Sequence, residues 1–230
     1  TVRQNGHSVA ITAVNDVERG GLSLQKTDTI TGTTPQGDAD FEGITFQIIN
    51  NSRNPVIVEG QKYQPGEVVK TLVTDSEGKA STSDDLLPYG EYILHESATN
   101  ESMLNTVPDQ TVLIEDDGVI YEFTCPNEVV RGDVLIEKRD LESGLLTPLG
   151  GASLDGTLFE ITNKSKNAVY VNGALYAPGE VCATIEVKDG IAQTENRALP
   201  YGSYQMVESK PGEGYLHTDQ TVRSFQIRQD

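Results

Sequence analysis

Three residue types recur in this chain at one spacing, each closing an otherwise apolar row. In Leu22-Ser23-Leu24-Gln25-Lys26, side chains alternate between strand faces, so Leu22, Leu24 and Lys26 share one. Val134, Ile136 and Lys138 repeat the pattern. Tyr92, Leu94 and Glu96 form a second row, copied by Tyr204, Met206 and Glu208. A third runs Val119, Tyr121, Phe123, Cys125, Asn127. Lys26 to Lys138, Glu96 to Glu208 and Asn15 to Asn127 are each 112 residues apart.

Two chemistries fit. In the plainer one, Lys and Glu pair at the rim of a sheet and Asn caps a turn. In the other, the three meet inside a core. Burial there disfavours both charges, lowering the lysine pKa and raising that of the glutamate. A neutral amine is a nucleophile. It can attack the Asn carboxamide while a protonated Glu polarises the carbonyl and moves protons. Ammonia leaves and a Lys–Asn isopeptide bond remains. The reaction needs proximity and an apolar site, not a substrate pocket or a cofactor. Lys26, Glu96 and Asn127 form one complete set. Lys138 and Glu208 form a second, whose asparagine falls near position 239 by the same period.

The elements that position these residues read as strands in two copies. LPYGEY at 87–92 returns as LPYGSY at 199–204, and FQIINNSRNPVIVEGQKYQPGEVV returns as FEITNKSKNAVYVNGALYAPGEVC. A repeat of this length indicates tandem domains with small loop insertions. Short Val-, Ile-, Leu-, Tyr- and Thr-rich runs are separated by turn signals such as QPGE, DSEGK and EDDG, with no sustained helical period. The fold class is all-β: two tandem immunoglobulin-like (prealbumin-like) antiparallel β-sandwiches. Residues 21–131 make the first unit and 132–230 the second. Residues 1–20 read as the last strand of a preceding repeat. The NSRNPV stretch and its continuation predict a hairpin and a further edge strand.

The totals narrow the function. The 230 residues carry 35 acidic and 17 basic side chains, a net charge of −18. Such a chain repels nucleic-acid phosphates and anionic membrane surfaces. No apolar run approaches the ~20 residues of a membrane span. Cys125 and Cys182 fall in different units, read as free, and have no metal-ligand spacing. No paired carboxylates in a cleft and no nucleophile motif suggest a turnover enzyme.

LIEKRDLESGLLTPLGGASLDGTLFEITN followed by YGSYQMVESKPGEGYL resembles the Cna B-type (SpaA, prealbumin-like) domains of Gram-positive surface adhesins and pilins. The second unit matches that pattern through Lys138, Asp140, Phe159, Glu208, Pro211, Gly214 and Tyr215, and the first through Lys26, Asp28, Phe46, Glu96 and Asn127. The first unit departs after Glu96, where SATNESMLNT replaces the Pro-x-Gly-Tyr stretch. The resemblance implies an extracellular, cell-wall-anchored stalk or pilin module. In such modules Lys–Asn isopeptide bonds, with Glu96 and Glu208 as the catalytic residues, resist heat, protease and force. Its partners would be other copies or repeats of the same protein. A ligand-binding adhesin for a host extracellular matrix protein is the alternative, although the chain has no Trp and no aromatic-rich patch.

Smaller features have plainer explanations. Arg131-Gly132-Asp133 matches Arg19-Gly20-Gly21, so Arg-Gly belongs to the inter-unit linker rather than to an integrin-type motif. His7, His95 and His217 are scattered. Glu115-Asp116-Asp117-Gly118 lacks the ligand count of a calcium loop and reads as a turn. The second unit ends before its Asn strand, whereas Gly6 to Asn15 has the spacing of Gly118 to Asn127. One reading is an array cut within a hairpin. The other is donation: residues 6–17 of one chain complete unit two of another, and Asn15 bonds to Lys138 of that neighbour.

Overall fold

The computed structural model describes residues 10–228, and these contain strands and turns but no helix. Unit one is a sandwich. One sheet sets the first strand, Arg19–Asp28, between Lys79–Ser81 and Ile120–Val129, with Met103–Leu104 beyond. The facing sheet runs Gln110–Ile114, Gly90–Ala98, Thr45–Asn50, Val68–Val73. Val56–Val58 and Gln61–Tyr63 form the expected hairpin, and Val68–Val73 the edge strand after it. Period-2 alternation fills the space between the sheets. Leu22, Leu24, Phe46, Ile48, Tyr92, Leu94 and Ile114 are all buried, each contributing on the order of 2 kcal/mol.

One pairing differs from the antiparallel expectation. Arg19–Asp28 and Ile120–Val129 run parallel, with Lys26 opposite Cys125 and Asp28 opposite Asn127. The chain therefore leaves the unit in the direction in which it entered. A parallel pair needs a long connection, and here the rest of the unit supplies it.

Unit two repeats the facing sheet in the same order: Val181–Glu186, Leu158–Asn163, Gly202–Lys210, Arg223–Ile227. The Tyr204 hydroxyl donates to the Pro200 carbonyl at 2.8 Å, as Tyr92 does to Pro88 at 2.9 Å. Its other sheet is smaller. Leu135–Glu137 pairs with Ile191–Gln193 on one side, and among the described residues no strand lies along the other. The inward-facing Val134 and Ile136 are accordingly only half-buried, where Leu22 and Leu24 are buried.

Ala10–Glu18 are exposed and form no strand, although Ile11, Ala13 and Asn15 were expected on a strand face. A single strand has no hydrogen-bond partner of its own and is not stable alone. The start of the expected donor stretch, Gly6 to Val9, lies outside the described residues.

The two units meet through the Gln36–Asp38 loop of unit one and, beside it, through Glu101, which accepts from the Tyr201 hydroxyl. Gly37 exchanges backbone hydrogen bonds with Ala168 and Asn167, both at 3.0 Å, and Asp38 N–H donates to the Tyr201 carbonyl. The Asp38 carboxylate accepts from Lys166 N–H at 3.0 Å and Ser203 Oγ at 2.6 Å. Gln36, 1% exposed, accepts from Tyr170 N–H and Arg131 Nη2 through its side-chain oxygen. Gly37 is required twice over. Its φ is +63°, and a Cβ would lie 2.1 Å from the Tyr201 carbonyl oxygen. Gly37→Ala is expected to cost about 1–3 kcal/mol at this junction. Small-angle scattering should then show a broader spread of inter-unit orientations, with each unit's own unfolding transition unchanged.

Candidate functional site

The first strand carries Lys26 inward, and the Gly90–Ala98 strand of the opposite sheet carries Glu96 to meet it. Lys26 Nζ donates to Glu96 Oε2 at 2.6 Å, and Asn127 Nδ2 donates to Glu96 Oε1 at 2.7 Å. The relative exposures are 0% for Lys26, 2% for Glu96 and 0% for Asn127. A rim salt bridge is thereby excluded for this set: the three predicted side chains meet in the core. Lys26 Nζ also lies 5.6 Å from the centroid of the Phe46 ring. Burial pulls the Lys26 ammonium below its ordinary pKa, against the opposing hydrogen bond and charge of Glu96. Asn127 Oδ1 is buried and has no hydrogen-bond partner.

Unit two holds two of the three groups. Lys138 Nζ donates to Glu208 Oε2 at 2.5 Å. The glutamate is as deeply buried as Glu96, but the lysine side chain is 17% exposed. It borders a groove of about 400 Å³ also lined by Ile136, Phe159, Met206, Asp219 and Arg223. In unit one the Ile120–Val129 strand, with Asn127, runs beside the matching first strand. Asn15, the other predicted crosslink residue, lies in the exposed Ala10–Glu18 segment and meets neither group within this chain.

The SpaA family, described as a prealbumin-like fold domain, matches residues 20–129 and again 147–230. The chain belongs to this family. Solved structures are similar to it over most of its length. The Bacillus anthracis TIE protein superposes with a TM-score of 0.58 at 20% identity, over 93% of this chain and 32% of that one. This chain thus spans about a third of that protein. The shaft pilin SpaA from Lactobacillus rhamnosus GG matches over 90% of this chain and 93% of its own, at 16% identity and a TM-score of 0.35. The major pilin SpaD from Corynebacterium diphtheriae matches over 96% and 66%, at 12% and 0.39. At 20% identity, the likeness to the TIE protein speaks to the fold alone. No curated protein matches the sequence.

Both SpaA-type units turn sharply after the lysine strand, and an aspartate two residues on organises the turn. Asp28 accepts from Ile30 and Thr31 N–H, and Asp140 from Glu142 and Ser143 N–H. The Ser143 N–H leads the groups that hold Asp140 below the usual carboxylate range. The Tyr215 hydroxyl also donates to Asp140, at 3.0 Å. Unit one lacks that tyrosine, and Gln36 Nε2 takes its place on Asp28 at 3.0 and 3.1 Å. This exchange explains how unit one departs from the motif after Glu96 without losing the turn.

Sequence reasoning missed Gly78 and Phe41. Gly78 has φ +74° and accepts from Lys26 N–H at 2.7 Å. A Cβ there would stand 2.9 Å from Phe41 Cβ and 3.0 Å from Lys26 Cβ, so only glycine lets this turn close over the site. The Gly of the DSEGK turn was the available signal. Cys125 is fully buried and free, and burial pushes its thiol up to about 11, so it stays protonated. Arg131 of the Arg-Gly-Asp tripeptide is committed inward, donating to the Ala198 and Tyr170 carbonyls at 2.8 and 2.7 Å. Asp117 of the acidic turn accepts from Arg19 N–H. His95 pairs with Asp109 at the surface, and His217 contacts the Glu208 carbonyl. His7 lies outside the described residues. Among the described residues, no helix is long and apolar enough to cross a membrane.

Proposed function

We propose that this chain is a structural, pilin-type stalk segment of a bacterial cell-surface protein, outside the cell and attached to its wall. Its units lock themselves by Lys–Asn isopeptide bonds. The contact of Lys26 and Asn127 with the two oxygens of one buried carboxylate carries this reading.

The reaction starts along the Lys26–Glu96 hydrogen bond. A proton passes from Nζ to the carboxylate, leaving a neutral amine in an apolar core. Turned over, the Asn127 carboxamide accepts from the protonated Glu96, which polarises its carbonyl. Nζ attacks Cγ, the Nζ–Cγ bond forms and the Cγ–Nδ2 bond breaks. The departing nitrogen gathers the two protons that Nζ gives up through Glu96 and leaves as ammonium, and Glu96 returns to carboxylate. Nothing turns over, so the protein is not an enzyme in the ordinary sense. Each bond lowers the neutral mass by the one ammonia lost, about 17 Da. Intact-mass spectrometry on the folded chain is expected to show that deficit, and the full sequence mass would overturn the reading.

For unit two, the open edge beside Lys138 supports strand donation. A strand laid parallel to Leu135–Glu137 would cover the groove and bring an asparagine to Lys138 and Glu208. Residues 6–17 of a second copy, with Asn15, have the matching spacing. A host-matrix ligand, the alternative, gains no support from the fold.

A further inference from the structure

Both halves of the contact between the units recur: the loop has a counterpart in unit two, its receiving surface has one in unit one, and both counterparts are uncovered. In unit two the receiving surface consists of Lys166, Ala168, Tyr170, Tyr201 and Ser203, capped by Gln36-Gly37-Asp38. By the repeat, the same surface on unit one is Arg53, Pro55, Ile57, Tyr89 and Glu91. There Ile57 is 54% and Tyr89 51% exposed, whereas Tyr201 is 5% exposed under the loop. A groove of about 340 Å³ runs along it, lined by Arg53, Asn54, Pro55, Tyr89 and Glu91 among others. Arg19 is placed as Arg131 is, donating to the Leu86 and Ile57 carbonyls at 3.0 and 3.3 Å.

The loop itself also recurs. Pro148-Leu149-Gly150-Gly151 stands where unit one has Pro35-Gln36-Gly37-Asp38. Gly150 keeps the left-handed backbone of Gly37, φ +57° against +63°, but a Cβ on it would meet nothing within 4 Å. Leu149 is 44% exposed where Gln36 is buried.

The differences between the two surfaces match the differences between the two loops. Gln36 needs Arg131 and the Tyr170 N–H; Leu149 needs an apolar neighbour, and Ile57 replaces Tyr170. Asp38 needs Ser203 and Arg228, which reach it at 2.6 and 3.4 Å. Gly151 needs neither, and Glu91 and Glu115 stand in their places, where an aspartate would be repelled.

We infer that the Thr147–Gly151 loop of one copy docks on the exposed Ile57–Tyr89 surface of the next, so that copies stack as the two units within a chain do. This rests on the end-to-end reading of strand donation and adds a second, non-covalent contact to it. Within the chain, Ile120–Val129 completes unit one and leads straight into Arg131. A donated strand ending at Val17 would likewise lead into Arg19, placing the donor's groove beside the acceptor's loop. Such a head-to-tail contact does not close on itself and gives a filament.

The test is a cysteine pair, Leu149→Cys with Ile57→Cys in the full chain, under a mild added oxidant. The native thiols are buried. Expected in the Asn15→Ala background are ladders that thiol reductant dissolves, several-fold stronger than from Leu141→Cys with Ile57→Cys in the same background. Leu141 is 95% exposed but lies outside the loop. Reductant-resistant ladders without reductant-sensitive ones would keep strand donation and overturn the loop contact. Equal ladders from the Leu141 control would also overturn it, as random collision. No ladder of either kind would overturn both contacts.

Discussion

Glu96→Gln is expected to leave unit one folded but uncrosslinked, at the full mass for that unit and with a much lower unfolding temperature. The substitution keeps the side chain's shape and removes its capacity to take up a proton from Lys26 Nζ. The bond between Lys26 and Asn127 would close a loop of about 100 residues. By chain entropy alone such a closure contributes about 4.7 kcal/mol. In a domain of this size each kcal/mol moves the midpoint by about 4–8 °C, so the loss should be roughly 20 °C or more. Differential scanning calorimetry on the variant, with its mass measured in parallel, checks both halves. A Glu96→Gln protein with the wild-type mass deficit would remove Glu96 from the reaction. The same bond would also add mechanical strength. The first and last strands of unit one are hydrogen-bonded neighbours running parallel, and a covalent tie between them keeps the unit from extending when its ends are pulled.

Purified, concentrated protein is expected to form ladders in SDS gels that survive boiling and reductant. Asn15→Ala and Lys138→Ala should each abolish them. Donation would cover the open edge of Leu135–Glu137 and bury the Lys138 side chain, now 17% exposed. In the same step it brings a carboxamide to the Lys138–Glu208 pair. The strand contributes new backbone hydrogen bonds, and the covalent bond makes the association irreversible. A chain that remains monomeric at all concentrations, with Lys138 unmodified, would rule donation out. Because Asn15 is exposed within its own chain, its substitution should leave the monomer's thermal stability unchanged, which separates loss of assembly from loss of fold.

Much of this was legible from side-chain alternation. Leu22, Leu24 and Lys26 share a face because the backbone pleat forces it, and the 112-residue recurrence marked the lysine as more than a rim residue. The hairpin of Val56–Val58 with Gln61–Tyr63 also followed from the turn signals around it. Other features were not legible, because they depend on contacts between residues far apart in sequence. Parallel pairing of Arg19–Asp28 with Ile120–Val129 leaves no turn signature between them. Gly78 reads as an ordinary turn glycine until Phe41 and Lys26 are seen packed against it. Gln36 looks like a loop residue, yet it replaces the Tyr215 bond to the turn aspartate and ties the two units together. The Ala10–Glu18 stretch carries a strand pattern with no strand beside it. Pattern alone cannot supply the missing partner.

The most direct measurement is of the bond itself. Proteolysis of the unfolded wild-type chain, followed by tandem mass spectrometry, should yield a branched peptide. That peptide joins the Lys26 segment to the Asn127 segment, lighter by one ammonia than the two combined, and is absent from Asn127→Ala. Recovery of both segments as separate, unmodified peptides from folded wild-type protein would contradict the account.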